Sequence, residues 1–181
     1  MLFKAPLALS AVLALTACAS QMSAPAMPFS QAGLPAAVQV PAGHKVVLET
    51  VGVGQITYEC RAKKDMAGHE WVFAGPDARL LDRQGRQVGK YYGPPATWES
   101  QDGSKLTATQ LAVAPAAAGS IPLQLVKANP ATGMGAMQGV TYIQRVATQG
   151  GVAPAAVCDA SQLGTRQTVH YQADYIFWKP A

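Results

Sequence analysis

The sequence predicts an all-β fold: a single antiparallel β-sandwich or closed β-barrel of about ten strands, with few or no helices. Three observations predict it. Apolar and polar residues alternate in short runs from residue 44 onward, turn-forming Gly, Asp, Pro and Ser interrupt those runs roughly every ten residues, and no stretch keeps a 3.6-residue apolar period over three turns.

Taken in chain order, the first segment stands apart from that fold. Lys4 precedes an apolar run from Ala5 to Thr16, the length of a signal-peptide core and too short to span a bilayer as a helix. It ends in Leu15-Thr16-Ala17-Cys18, which resembles the bacterial lipobox. The resemblance implies a signal peptide over residues 1–17, a diacylglyceryl group on the Cys18 thiol, and a membrane partner reached through that lipid anchor. Each buried methylene of an acyl chain contributes ~0.8 kcal/mol, so two or three chains hold a protein stably. Ala19 and Ser20 follow the cysteine, and the lack of Asp there implies the outer membrane, facing the periplasm. Residues 18–39 are rich in Ala, Pro, Ser and Gln without helical or strand period, the composition of a flexible tether. The β domain is expected over residues 40–181.

Its strands are read from alternation and turns. His44 to Thr50 and Gln55 to Cys60 come first; in the second, Ile56, Tyr58 and Cys60 alternate with Gln55, Thr57 and Glu59, so one face is buried and one wet. Glu70 to Ala74, Ala78 to Asp82 and Gln87 to Tyr92 follow, the last two joined through a turn ending in Gly85. Ala96 to Glu99 and Lys105 to Val113 flank Gln101-Asp102-Gly103-Ser104, and Asp-Gly between strand patterns is a strong hairpin signal. Ile121 to Lys127, Val140 to Thr148 and Gln167 to Trp178 complete the set, while Pro115 and Gly119 break the Ala-rich segment between them.

Composition narrows the function classes. At 49% hydrophobic and 13% charged residues the chain can bury a substantial core. Without Lys4, 13 Lys and Arg stand against 10 Asp and Glu, too small and scattered an excess to suggest nucleic acid. With Cys18 assigned to lipid, Cys60 and Cys158 remain, and an oxidising compartment favours a disulfide between them. Closing a loop of about 100 residues stabilises by ~4.7 kcal/mol in chain-entropy models.

No chemistry dominates the remaining residues. Nucleophilic hydrolysis needs a Ser or Cys beside a His and an orienting acid, yet no Gly-x-Ser-x-Gly elbow occurs and His44, His69 and His170 stand in unrelated segments. Met66, His69, Met134 and Met137 form the softest set of donors, suited to Cu(I) if they converge. The loop Gly133 to Gly139 departs from a nucleotide fingerprint in spacing and precedes a strand. Glu99 and Asp102 beside Trp98 are the most suggestive carboxylates for sugar hydrolysis. Tyr91, Tyr92, Trp98 and Glu99 combine stacking faces with one acceptor and form the candidate ligand-binding patch, for a carbohydrate or another envelope protein. The expected function is noncatalytic binding of a ligand or partner without cofactor or metal. Hydrolysis of cell-wall or extracellular polysaccharide and periplasmic metal handling are the alternatives.

Several segments together resemble the bacterial and fungal family of secreted proteins known as domain of unknown function 3455. They include Val40-Pro41-Ala42-Gly43-His44, Tyr58-Glu59-Cys60, Trp71-Val72-Phe73 with Pro76-Asp77-Ala78-Arg79-Leu80, and Gly93-Pro94 to Trp98-Glu99. Gly139-Val140-Thr141-Tyr142-Ile143-Gln144-Arg145-Val146, Cys158-Asp159 and Ala173-Asp174-Tyr175 extend the likeness across residues 40 to 178. One departure concerns chemistry: the family pattern carries a histidine before Gly-Pro-x-Trp, where Tyr91 and Tyr92 stand here.

Overall fold

A computed structural model describes residues 28–181, so the signal peptide, Cys18 and the start of the tether lie outside the described residues. Eight antiparallel strands close into one barrel in simple sequence order. They are β1 (His44–Ala62), β2 (His69–Leu81), β3 (Gln87–Tyr92), β4 (Thr97–Ser100), β5 (Lys105–Ala114), β6 (Leu123–Ala128), β7 (Tyr142–Gly150) and β8 (Arg166–Pro180). Two short 3-10 turns, Ala36–Val38 and Ala160–Gln162, are the only helical elements among the described residues. The all-β expectation holds, and closure by β8 pairing back onto β1 decides between barrel and sandwich.

Eight strands appear in place of about ten because two pairs of expected strands are continuous. In β1 the break was expected at Val51-Gly52-Val53-Gly54, but these glycines lie within the pairing to both neighbours. A Cβ on Gly52 would fall 2.5 Å from the Tyr175 ring, and one on Gly54 would fall 2.1 Å from the Asp77 carbonyl. The glycines therefore admit close approach inside a long strand. In β2, Gly75-Pro76-Asp77 runs straight through beside a register shift at Thr57/Tyr58. Pairing to β3 begins only at Asp77, so Pro76 sits where its missing N–H breaks no ladder to β3.

Two apolar layers hold the barrel. The interior layer is built from inward residues such as Ile56, Leu80, Tyr91, Trp98, Ile143, Tyr175 and Phe177. A second layer lies outside the wall, where Leu125, Val146, Ile176 and Trp178 pack beneath Val38, Val40, Phe29 and Leu34. Residues 28–39, expected to belong to the flexible tether, are thus docked on the barrel. Val38 is fully buried, and the Phe29 ring meets Trp178 edge-on at 6.2 Å. Gln144, buried on the outward face of β7, donates to the Val38 carbonyl at 2.7 Å and to Gln31 at 3.1 Å while accepting from the Trp178 indole at 2.9 Å. Every polar atom of that amide used in the contact is satisfied by a partner, as a buried amide requires. Short apolar positions without periodicity explain why this docking leaves no alternating or helical signature.

The two ends of the barrel differ. At one end the segment between β6 and β7 folds across the opening, with Met137 and Val140 buried in the interior layer. The other end, bounded by the β1–β2, β3–β4, β5–β6 and β7–β8 connections, is partly covered where Ile121 and Gly151 pack inward and leaves the mouth of a cavity beside them.

Candidate functional site

The open end leads into a cavity of about 430 Å³ within the barrel. Eight strands leave an interior just wide enough to be filled by side chains or to hold one small molecule, and pockets of a few hundred Å³ are the usual size for small ligands. Strand alternation decides its lining. From β1 to β4 come Ile56, Tyr58, Phe73, Tyr91 and Trp98, an aromatic wall. Facing residues of β5, β6 and β7 supply Gln110, Gln124 and Arg145. Arg145 lies directly across from Tyr175 on one side and Gln124 on the other, which places all three on the inner face.

The aromatic wall is stacked. Tyr91 and Trp98 pack face to face at 4.5 Å, and Tyr175 tilts against Tyr91 at 5.0 Å. The Trp98 indole N–H is buried without a partner among the described residues, a group that ordinarily finds one. Tyr58 donates to the Gly151 carbonyl at 2.7 Å, and the Tyr171 and Tyr175 hydroxyls meet at 3.2 Å. Burial pushes the Tyr58, Tyr91, Tyr171 and Tyr175 phenols above their ordinary range, with the Arg145 charge pulling the other way. On the polar side, Gln124 donates to Gln110 at 2.6 Å, and Nε and Nη2 of Arg145 both donate to the Pro122 carbonyl, at 3.2 and 3.0 Å.

The expected ligand patch of Tyr91, Tyr92, Trp98 and Glu99 does not form one surface. Tyr91 and Trp98 are 5% and 2% exposed and face inward. Tyr92 and Glu99 lie on the opposite face of the sheet, where the Tyr92 hydroxyl donates to Glu99 at 2.6 Å and Lys90 stands 3.4 Å from the same carboxylate. Alternation separates each sequence neighbour by the thickness of the sheet. The inward half of the patch lines the cavity; the outward half is a local surface contact.

The other candidates also have definite places. Asp102 accepts from the Ser104 amide and hydroxyl and from the Ala136 amide, at 2.9, 2.6 and 2.8 Å. The Ser104 hydroxyl and these amides hold its carboxyl down at about 2. Glu99 is likewise held below the usual carboxylate range by Tyr92, with Lys90 beside it. Both acids are stabilised as carboxylates, whereas a general acid for glycoside cleavage needs a raised pKa. Met66 and His69 flank the open end, while Met137 is buried in the closed end and Met134 is 81% exposed in the same segment. The four do not converge, and among the described residues no group of three or more His, Cys, Asp or Glu is placed to hold a metal. His44 bonds the Pro41 carbonyl at 3.0 Å and packs on Tyr142.

Cys60 and Cys158 are bonded, with Cα atoms 5.6 Å apart, so the expected disulfide is present. It ties the end of β1 to the β7–β8 connection at the cavity mouth. The Trp71 indole reinforces that tie by donating to the Ala156 carbonyl at 2.8 Å. Sequence reasoning missed Arg145, Gln124 and Gln110. Their available signal was position: Arg145 follows Ile143 by two in a strand pattern, which puts a cation on the same face as a core residue. Residues 41–179 match the family described as protein of unknown function DUF3455. No curated protein and no solved structure matches the chain.

Proposed function

The chain belongs to the DUF3455 family, and we propose that it is a noncatalytic ligand-binding protein of the bacterial cell envelope, lipid-anchored through Cys18, with the barrel cavity as its binding site. The observation that carries the reading is the asymmetric barrel: one end is filled by Met137 and Val140, while the other opens onto an aromatic-walled cavity. An interior built only for stability would be packed throughout, because unfilled apolar volume destabilises. The disulfide accords with an oxidising compartment, and the Leu15-Thr16-Ala17-Cys18 motif supplies the anchor. Outer-membrane placement rests on Ala19 and Ser20 after the cysteine.

A neutral apolar fluorophore, N-phenylnaphthylamine, tests the cavity. The protein should bind it with enhanced emission, and Ala108→Phe, which projects a ring from the cavity lining, should abolish binding while thermal stability stays within a few degrees. Equal binding by the folded variant would place the site elsewhere. For the anchor, Cys18→Ser should leave unprocessed precursor without acyl label, and continued acylation would refute it.

A further inference from the structure

We infer that this cavity takes a small amphiphilic anion, a carboxylate or similar acid on an apolar or aromatic body, with Arg145 as its counter-charge. The inference rests on the ligand-binding reading above and adds the chemistry of the ligand. Its first support is an unmatched cation. Among the described residues the six ion pairs all lie elsewhere, and none includes Arg145. Among the described residues the only acceptor for its guanidinium is the Pro122 carbonyl, which receives two N–H groups and carries no net charge. Arg145 is half-buried on the cavity wall, and a charge partly withdrawn from water gains from an anionic partner.

Neighbouring groups do not supply the missing anion. The inward residues across from Arg145 are Tyr175 and Gln124. Burial keeps the Tyr58, Tyr91 and Tyr175 phenols protonated at neutral pH despite the guanidinium, so they face it as neutral hydroxyls. Any counter-charge for this half-buried guanidinium comes from outside the wall, with solvent ions or a ligand. A guanidinium fork matches the two oxygens of a carboxylate better than a point cation would.

The second support is the division of the cavity into two walls. Gln124 spends one donor on Gln110, which leaves the Gln110 amide N–H groups and the Gln124 carbonyl oxygen without a mutual partner. These lie on the Arg145 side. Opposite stand Tyr58, Tyr91 and Trp98. At the mouth, Phe73 and Val113 line the cavity yet are 49% and 47% exposed, apolar surface that an apolar ligand body would cover. A molecule polar at one edge and apolar over the rest fits both walls; a fully polar sugar leaves the aromatic wall unused, and a neutral hydrocarbon leaves Arg145 unpaired.

Matched probes separate charge from shape. Decanoate and decanol share an apolar body, and each is titrated against protein carrying N-phenylnaphthylamine. Decanoate should displace the dye at concentrations about tenfold or more below decanol, the scale of a charge-assisted hydrogen bond. Arg145→Met should erase that preference while decanol binding persists, and Arg145→Lys should retain part of it. Equal displacement by the two probes in the unaltered protein, or a preference that survives Arg145→Met, would overturn the inference while leaving the cavity reading intact. Should Arg145→Met also lose decanol, Arg145→Lys decides: retained preference for decanoate supports the inference and its loss overturns it. If the unaltered protein binds no dye and neither probe, the cavity reading itself fails.

Discussion

Tyr91 and Tyr92 are adjacent in the chain and lie on opposite faces of β3, so one peptide bond separates a buried cavity residue from a surface residue. Tyr91 stacks on Trp98 and touches Tyr175, whereas Tyr92 bonds Glu99 outside the barrel. Tyr91→Ala should cost about 3 kcal/mol or more by opening a cavity beside Trp98. Tyr92→Ala should cost roughly 1 kcal/mol, since it removes a half-buried hydrogen bond to Glu99 and the Lys90 contact with the ring but opens no interior cavity. Chemical denaturation of both variants checks the pair, and similar losses would mean that the face assignment is wrong. Gly52 shows the same dependence on facing residues. Its lack of a side chain leaves room for the Tyr175 ring, a requirement imposed by a residue more than a hundred positions away.

Among the connecting elements, the segment between β6 and β7 closes the barrel through a carboxylate. Asp102, in the β4–β5 turn, accepts from the Ala136 amide, and Ser104 accepts from the Met137 amide at 3.1 Å. The Asp102 carboxyl lies at about 2 in the folded chain against 3.8 when free, so the ionised form is the one the fold favours. A depressed folded value gives stability that is fully present above the unfolded value and lost as pH falls through the folded one. The closing segment should therefore stay docked at pH 5 and loosen between pH 3.8 and about 2. Hydrogen exchange at the Ala136 and Met137 amides reads this directly: protection should fall across that window, and in Asp102→Asn it should be low already at pH 5. Unchanged protection in the variant would show that packing of Met137 alone holds the segment. The Asp-Gly turn itself was legible, because its residues act on their own backbone. Its grip on a segment some thirty residues away was not.

For the whole molecule, the Cys60–Cys158 bridge, the Trp71–Ala156 bond and the Tyr58–Gly151 bond all fasten the β7–β8 connection to β1 and β2. These fastenings brace the cavity mouth. Native protein with free thiols blocked should show neither cysteine alkylated, and Cys60→Ala with Cys158→Ala should lower stability by roughly 2–5 kcal/mol. Two alkylated cysteines in native material would contradict the bridge. Because the bridge borders the mouth, the double variant should also bind N-phenylnaphthylamine more weakly than its stability loss alone explains when compared at temperatures where both proteins are folded.

What the sequence determined by itself was whatever local physics dictates. Period-two alternation, the Asp102-Gly103 hairpin and the cysteine pair specify an antiparallel β domain, because side-chain direction, turn geometry and thiol chemistry depend on a residue and its near neighbours. The segments from Val40 to Tyr175 that resemble DUF3455 added the family, and the match over residues 41–179 bears that out. Tertiary structure alone decided that β8 closes onto β1, that residues 28–39 dock through Gln144, and that Tyr91 and Trp98 share a cavity with Arg145 while Tyr92 and Glu99 do not. Each of those outcomes depends on which distant strand lies opposite, and a barrel interior exists only once its last strand has met its first.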